Sequence, residues 1–292
     1  MGSTNTKVTS GVKAQAAGIT FDLYSLVNVK GGGELIDLMK DANKSRNYKE
    51  LDRRIIEGVK PFLYNEGRGK IVDIREILAY RSCKASPEIN FEMSDTEFIK
   101  ANGYQTKEIC WKLDKLGAVG ETILHTCLLS STASHADLAK RLLKHFPKLI
   151  KDMYLSDEYY GENVLHMAIV NEDPAMVKFL LDHEADIHQR CCGNFFLPED
   201  QKVYKTHSWL HEWYDLPTDT NYYGYTYWGE YPIGFAACLG QEECVRLLVA
   251  NGADPNLVDS NGNTVLHLLV IHDQKMRERA MTGKVCNIKS VL

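Results

Sequence analysis

No stretch of this 292-residue chain is apolar for long enough to cross a bilayer. About 18–20 consecutive apolar residues would be needed, and the strongest run, Val265–Ile271, spans seven residues with His267 among them. Residues 1–20 hold no apolar block, so no secretory leader is expected. Positive charge is not in excess either: Lys and Arg total 34 against 39 Asp and Glu, a net charge of −5, which argues against nucleic acid as a partner. The phrases of catalysis are missing, with no G-x-S-x-G, H-E-x-x-H or dinucleotide-binding G-x-G-x-x-G. Gly67-Arg68-Gly69-Lys70 has a superficial likeness to a phosphate loop, but the spacing is wrong and Ile71 stands where Ser or Thr is needed. His183, His188, Cys191 and Cys192 are close in sequence, and His207 and His211 would share a helical face. Adjacent cysteines seldom ligate one ion, so no metal is expected. The chain reads as a non-enzyme without a cofactor.

What the sequence does have is a phrase said four times. Gly120-Glu121-Thr122-Ile123-Leu124-His125-Thr126-Cys127 returns as Gly161-Glu162-Asn163-Val164-Leu165-His166-Met167-Ala168. Gly229-Glu230-Tyr231-Pro232-Ile233-Gly234-Phe235-Ala236 is a third version, and Gly262-Asn263-Thr264-Val265-Leu266-His267 a fourth. Polar residues followed by Leu-His and a small residue match the T-P-L-H-x-A signature of ankyrin repeats. Spacing agrees. Gly234 and His267 are 33 residues apart, the ankyrin period; His125 to His166 is 41 and His166 to Gly234 is 68, the same period with insertions.

Each phrase opens a helix that Thr122, Asn163 or Thr264 can cap by accepting a backbone N–H. A second helix follows each. Met176–Leu181 parallels Cys244–Val249, each ending at a polar turn before Ala-Asp, and Leu138, Leu142, Leu143 and Phe146 make a fainter copy. Leu124, Leu165 and Leu266 are expected to face the neighbouring repeat, and His125, His166 and His267 to hydrogen-bond backbone between repeats. Pro232 takes the first helical position of the third phrase. One helix pair cannot bury its apolar face alone; stacked pairs can.

The fold class is therefore all-α, an ankyrin solenoid of about five helix pairs. Repeats are placed near 32–65, 120–152, 161–190, 229–256 and 262–281, within an ankyrin domain of 31–281. Residues 1–30 read as a mobile tail and 282–292 as a second tail. Met1–Thr6 fits the myristoylation pattern at Gly2. The 66–119 insertion is expected to hold helices at Ile71–Tyr80 and Asp95–Ala101. The insertion at 191–228 is crowded with aromatic residues, including three of the four Trp when counted from 189 to 231. Such a loop suits an interaction surface. Cys127, Cys238 and Cys244 fall at repeat-core positions, as small buried hydrophobes in a reducing compartment.

The details go beyond a generic ankyrin chain. Trp228–Cys238 resembles the fourth repeat of vanilloid-type transient receptor potential channels, Asp259–His267 their fifth, and Tyr159–His166 their third. Gly193-Asn194-Phe195-Phe196 resembles the start of their long third finger. The extended insertions resemble invertebrate, hearing-related members. The resemblance implies a cytosolic ankyrin skirt of a tetrameric calcium-permeable cation channel, at the plasma membrane and in sensory cells, with finger loops touching sister subunits. It makes Phe195, Phe196, Tyr223, Tyr225, Trp228 and Tyr231 the finger candidates. Some members bind ATP or calmodulin on the concave face. Here Glu121 stands where the family has a lysine, and Val170-Asn171 replaces a Glu-Arg pair, so ATP is not expected. The chain stops within the fifth repeat, before any sixth repeat or pore, as a truncated isoform or a piece of a longer protein would. The competing reading is a free ankyrin adaptor that binds a protein partner on its concave face.

Overall fold

The computed structural model describes residues 22–73, 76–77, 106–130, 132–156, 159–191, 193, 228–259, 262–271 and 273. Within them the architecture is a stack of helix pairs with one small two-stranded sheet. A short helix α1 (Leu23–Leu26) precedes the first pair, α2 (Glu34–Ser45) and α3 (Lys49–Val59). The second pair is α4 (Ile123–Leu129) and α5 (Ala133–His145), the third α6 (Val164–Val170) and α7 (Pro174–Asp182), the fourth α8 (Pro232–Cys238) and α9 (Glu242–Ala250). Residues 265–271 form α10, the opening helix of a fifth.

The phrase sets each inner helix by the same local chemistry. Thr122 caps α4 by accepting from the His125 N–H, and the His125 ring returns the bond through Nδ1, which accepts from the Thr122 N–H at 3.1 Å. Asn163 caps α6 by accepting from Leu165 and His166, while His166 Nδ1 accepts from the Asn163 N–H at 3.3 Å. This is a capping box with His in the place of Glu or Gln. At α8 the device changes. Tyr231 supplies no side-chain cap, and Pro232 removes one N–H that would otherwise need a partner. Gly234 replaces the His because a Cβ there would sit 2.8 Å from the Trp228 carbonyl oxygen. The glycine opening each phrase is required too. Gly161 has φ +83°, and a Cβ would lie 1.8 Å from the Arg190 carbonyl oxygen.

Inner helices stack on inner helices: α4 on α6 and α6 on α8; α7 and α9 form the outer row. Their apolar faces make one continuous core, with Leu124, Leu142, Leu165, Ala168, Leu180, Phe235 and Leu248 fully buried. Each such aliphatic or aromatic side chain contributes about 1.5–3 kcal/mol on leaving water. Cys127, Cys238 and Cys244 are buried thiols in this core, and burial raises the pKa of each.

Two expectations change. The stretch read as a mobile tail to residue 30 is structured from Asp22. Leu23, Leu26 and Val27 are core residues, covering the first helix pair, and Gly33 comes so close to Leu26 that a Cβ would lie 2.6 Å from its carbonyl oxygen. The insertion read as helical from Ile71 begins instead as a strand: β1 (Lys70–Asp73) pairs antiparallel with β2 (Thr106–Ile109), and the helical residues are Glu76 and Ile77. Ile71 and Val72 are β-branched, and their alternate exposure, 69% against 0%, is the period of a strand. The expected helix at Asp95–Ala101 lies outside the described residues. Gly67–Lys70 leads into this strand rather than into a helix N-terminus, which removes the geometry of a phosphate loop.

Candidate assembly surface

Both long insertions leave the stack through closed stems. For the first, β1 and β2 bring residues 73 and 106 side by side. The base of that hairpin is locked into the second repeat by Asp152, whose carboxylate accepts from the Cys110 N–H at 2.7 Å and the Trp111 N–H at 3.0 Å. Trp111 is buried and stacks on Phe62 at 4.9 Å, so the hairpin base also rests on the first repeat. Burial pushes the Asp152 acid up to about 7, against the two N–H groups, which hold it down.

For the second insertion, the stem is a single point. The Cys191 N–H donates to the Glu230 carbonyl at 2.6 Å, and the Glu230 carboxylate takes the Arg190 guanidinium, with Nε at 2.9 Å. Glu230 is 1% exposed. The same carbonyl meets His166 Nε2 at 3.3 Å. Because Nδ1 of His166 accepts from backbone, the proton belongs on Nε2, which donates. Burial lowers the His166 and His125 pKa values to about 3, so both rings are neutral near pH 7. His166 packs edge-on against Phe235 at 4.8 Å, and His125 lies 4.6 Å from the Tyr154 ring. His125 has the looser junction, since the Asp152 backbone raises its basicity without a bond of standard geometry to Nε2. Asn171, on the inner side, adds a further tie, its Nδ2 donating to the Leu128 carbonyl at 2.6 Å.

The residues singled out from sequence fall in three groups. Thr122, Leu124, His125, Leu165, His166 and Pro232 are buried at repeat junctions. In the fourth phrase the Thr264 N–H still donates to His267 Nδ1, at 3.2 Å, but Leu266 is 73% exposed. No further described helix lies over it. Among the finger candidates, Trp228 is a correction. It is 8% exposed and packs edge-on against Phe235 at 5.5 Å, inside the fourth repeat rather than offered to a neighbour. Tyr231 is half-buried, its hydroxyl donating to the Val258 carbonyl at 3.5 Å and its ring facing Arg190. Phe195, Phe196, Tyr223, Tyr225 and Gly2 lie outside the described residues, as do Cys192, His207 and His211. His183 and His188 have other partners: Nδ1 of His183 donates to the Phe179 carbonyl, and Nε2 of His188 accepts from the Asp254 N–H. Glu121 also differs from expectation. It is 4% exposed, accepting from the Tyr24 hydroxyl and the Val119 N–H, so its charge is turned inward.

Sequence alone did not point to Asp152, Arg190 or Glu230. Glu230 repeats Glu121 and Glu162 after the phrase glycine, which is the signal that could have found it. Asp152 has no such trace.

The repeats match known proteins. Residues 97–191 match the family described as "Ankyrin repeats (3 copies)", and residues 234–275 that described as "Ankyrin repeats (many copies)". Transient receptor potential cation channel subfamily V member 5 of Rattus norvegicus is 36% identical over 159 residues, 54% of this chain and 18% of that protein. Member 6 of Homo sapiens is 33% identical over 164 residues, 56% of this chain and 18% of that protein. Member 4 of Homo sapiens is 31% identical over 170 residues, 55% of this chain and 17% of that protein. Over about half of its length, then, the chain is an ankyrin-repeat region similar to those of vanilloid-type transient receptor potential channels. The match spans less than a fifth of the length of those vanilloid-type relatives. Among the described residues no helix is long and apolar enough to cross a membrane, and no group of three or more His, Cys, Asp or Glu could hold a metal ion.

Proposed function

We propose that the chain acts as the cytosolic assembly and regulatory module of a vanilloid-type, calcium-permeable cation channel, at the inner face of the plasma membrane. In this reading the module performs no chemistry. It holds sister subunits and regulatory proteins, and ion conduction belongs to the full-length protein. The observation that carries it is the pair of closed stems at 73/106 and 191/230, because they fix two long insertions onto a rigid stack that is similar to cation-channel ankyrin regions. Buried junctions around Asp152 and Glu230 make the stack a firm platform. The aromatic residues Phe195, Phe196, Tyr223 and Tyr225 of the second insertion are the proposed contacts with a neighbouring subunit; Trp228 and Tyr231 anchor its stem.

The test removes residues 195–225, which include all four aromatic contacts, leaving Trp228 and the stem intact, and measures co-precipitation with a full-length vanilloid-type subunit. Association is expected to weaken at least tenfold, with the melting temperature unchanged. Equal co-precipitation would overturn the assembly reading.

A further inference from the structure

The stems of the two insertions touch. Lys107 stands on β2 opposite Val72 and is half-buried. Its Nζ donates to Gln189 Oε1 at 3.3 Å, across 82 residues of sequence. Gln189 is 6% exposed, and its Nε2 donates to the Arg190 carbonyl at 3.0 Å. A lysine can only donate and a carbonyl can only accept, so these two partners fix which way the amide faces. One side-chain amide thus joins the first stem, through Lys107, to the second, through Arg190.

Arg190 leaves that joint little slack. Its guanidinium is bound to the buried Glu230 carboxylate, and its carbonyl fills the place where a Cβ of Gly161 would stand. The next residue, Cys191, donates its N–H to the Glu230 carbonyl. The first stem is held as firmly. Asp152 takes the Cys110 and Trp111 N–H groups, and Lys148 pairs with Glu108 on β2.

The bland account is one more bond between neighbouring repeats. The other cross-repeat bonds do join consecutive repeats: His166 to Glu230, Asn171 to Leu128, and Lys151 to the Glu184 carbonyl. Lys107 does not. It reaches from the insertion before the second repeat to the end of the third, past the hairpin closed by Met153 and Asn163. It ends on the residue beside Arg190, which carries the second stem.

We propose that Lys107 and Gln189 are positioning residues that lock both stems into one unit, so that a single sister subunit meets the two insertions together. The partner in this statement rests on the assembly reading above; the coupling rests on the amide bridge. An interaction surface keeps its pose only while its supporting bonds hold.

The experiment follows amide hydrogen exchange at Cys191 in the full chain, for the parent, K107M, K107R and K112M. K107M keeps the apolar stem and removes the donor. Lys112 is the control, since its Nζ donates to the Pro61 carbonyl in the first repeat, at 2.8 Å. Exchange at Cys191 should quicken at least threefold in K107M, with α5 and α9 unchanged. K107R should restore the parent rate, and K112M should leave it alone. Co-precipitation with a full-length vanilloid-type subunit should fall at least threefold in K107M. It should fall no further when K107M is added to the chain lacking residues 195–225. Unchanged exchange at Cys191 in K107M, an equal rise in K112M, a rise spread over α5 and α9, or no rescue by K107R would each overturn the coupling. Quickened exchange with undiminished co-precipitation would overturn the shared partner. If the 195–225 deletion itself leaves association intact, the assembly reading fails, and the exchange measurement alone decides the coupling.

Discussion

The two ends of the stack solve the same problem differently. A solenoid buries its core between repeats, so each end exposes an apolar face unless something covers it. At the N-terminal end residues 22–33 fold back as a clasp. Leu23, Leu26 and Val27 enter the core, the Tyr24 hydroxyl reaches Glu121 and donates no further, while accepting from the Ala118 N–H at 2.7 Å. His135 Nε2 meets the Asn28 carbonyl at 3.0 Å. At the other end α10 carries the same phrase as α4 and α6, yet Leu266 and Val270 are 73% and 68% exposed. The motif residues are equivalent; their burial is not. What an ankyrin phrase contributes therefore depends on the layer beyond it, and α10 presents the face that another layer covers elsewhere in the stack.

The largest test removes the N-terminal cover. Deleting residues 1–30 takes three core aliphatics and the Tyr24 and His135 bonds from the first repeats. At about 1.5–3 kcal/mol for each side chain, the loss is about 5 kcal/mol or more. With about 2–4 °C for each kcal/mol, calorimetry should show a melting temperature lower by about 15 °C. A fall of only a degree or two would mean that the clasp is an ornament rather than a cap.

The histidine junctions give the next effect, and it lies in pH. His125 and His166 are held neutral by burial, with pKa values lowered to about 3 from an ordinary 6.5. The unfolded chain thus binds more protons between these limits. Their stabilisation is complete above about pH 6.5 and is lost as pH falls toward 3, at up to about 1.4 kcal/mol per pH unit for each ring. Asp152 acts in the opposite sense. Its acid is raised to about 7, so its share is present below its ordinary value near 3.8 and lost as pH rises through 7. The two slopes oppose each other between about pH 4 and 6.5. Denaturant midpoints of the H125Q/H166Q variant, relative to its own value at pH 7, should therefore improve on acidification compared with the parent chain. An identical pH profile would show that the rings are not the titrating groups.

Much of this was legible in the sequence because ankyrin helices are specified locally. Thr122 with His125 and Asn163 with His166 close their caps within three residues, so a short phrase carries them. The clasp was missed because Leu23, Leu26 and Val27 are too few to show a period, and their partners are far along the chain: Glu121 lies 97 residues from Tyr24. β1 was missed because Lys70–Asp73 has only four residues and its pair begins at Thr106. Trp228 was assigned to the finger through the family resemblance. Its burial depends on Phe235, seven residues on and within the next helix. The junction carboxylate of Asp152 acts across repeats, where no local pattern records it; Glu230 recurs with Glu121 and Glu162 after the phrase glycine, but its partner Arg190 lies 40 residues away.

The smallest expected effect sharpens the comparison most, because it uses one residue type at one motif position. Leu165 is 0% exposed and Leu266 73%. Leu165→Ala removes buried methyl groups and leaves a cavity between the third and fourth repeats, at a cost of about 2–5 kcal/mol. Leu266→Ala removes a side chain already in water, so its effect should stay within about 0.5 kcal/mol. Urea unfolding of the two variants measures both. A large loss at Leu266 would show that a further segment covers α10 in solution. A small loss at Leu165 would undo the view that the phrase stabilises by being stacked. If instead the pair separates as expected, repeating Leu266→Ala in a longer chain becomes a direct assay for the next layer: the same substitution should turn costly once α10 is covered.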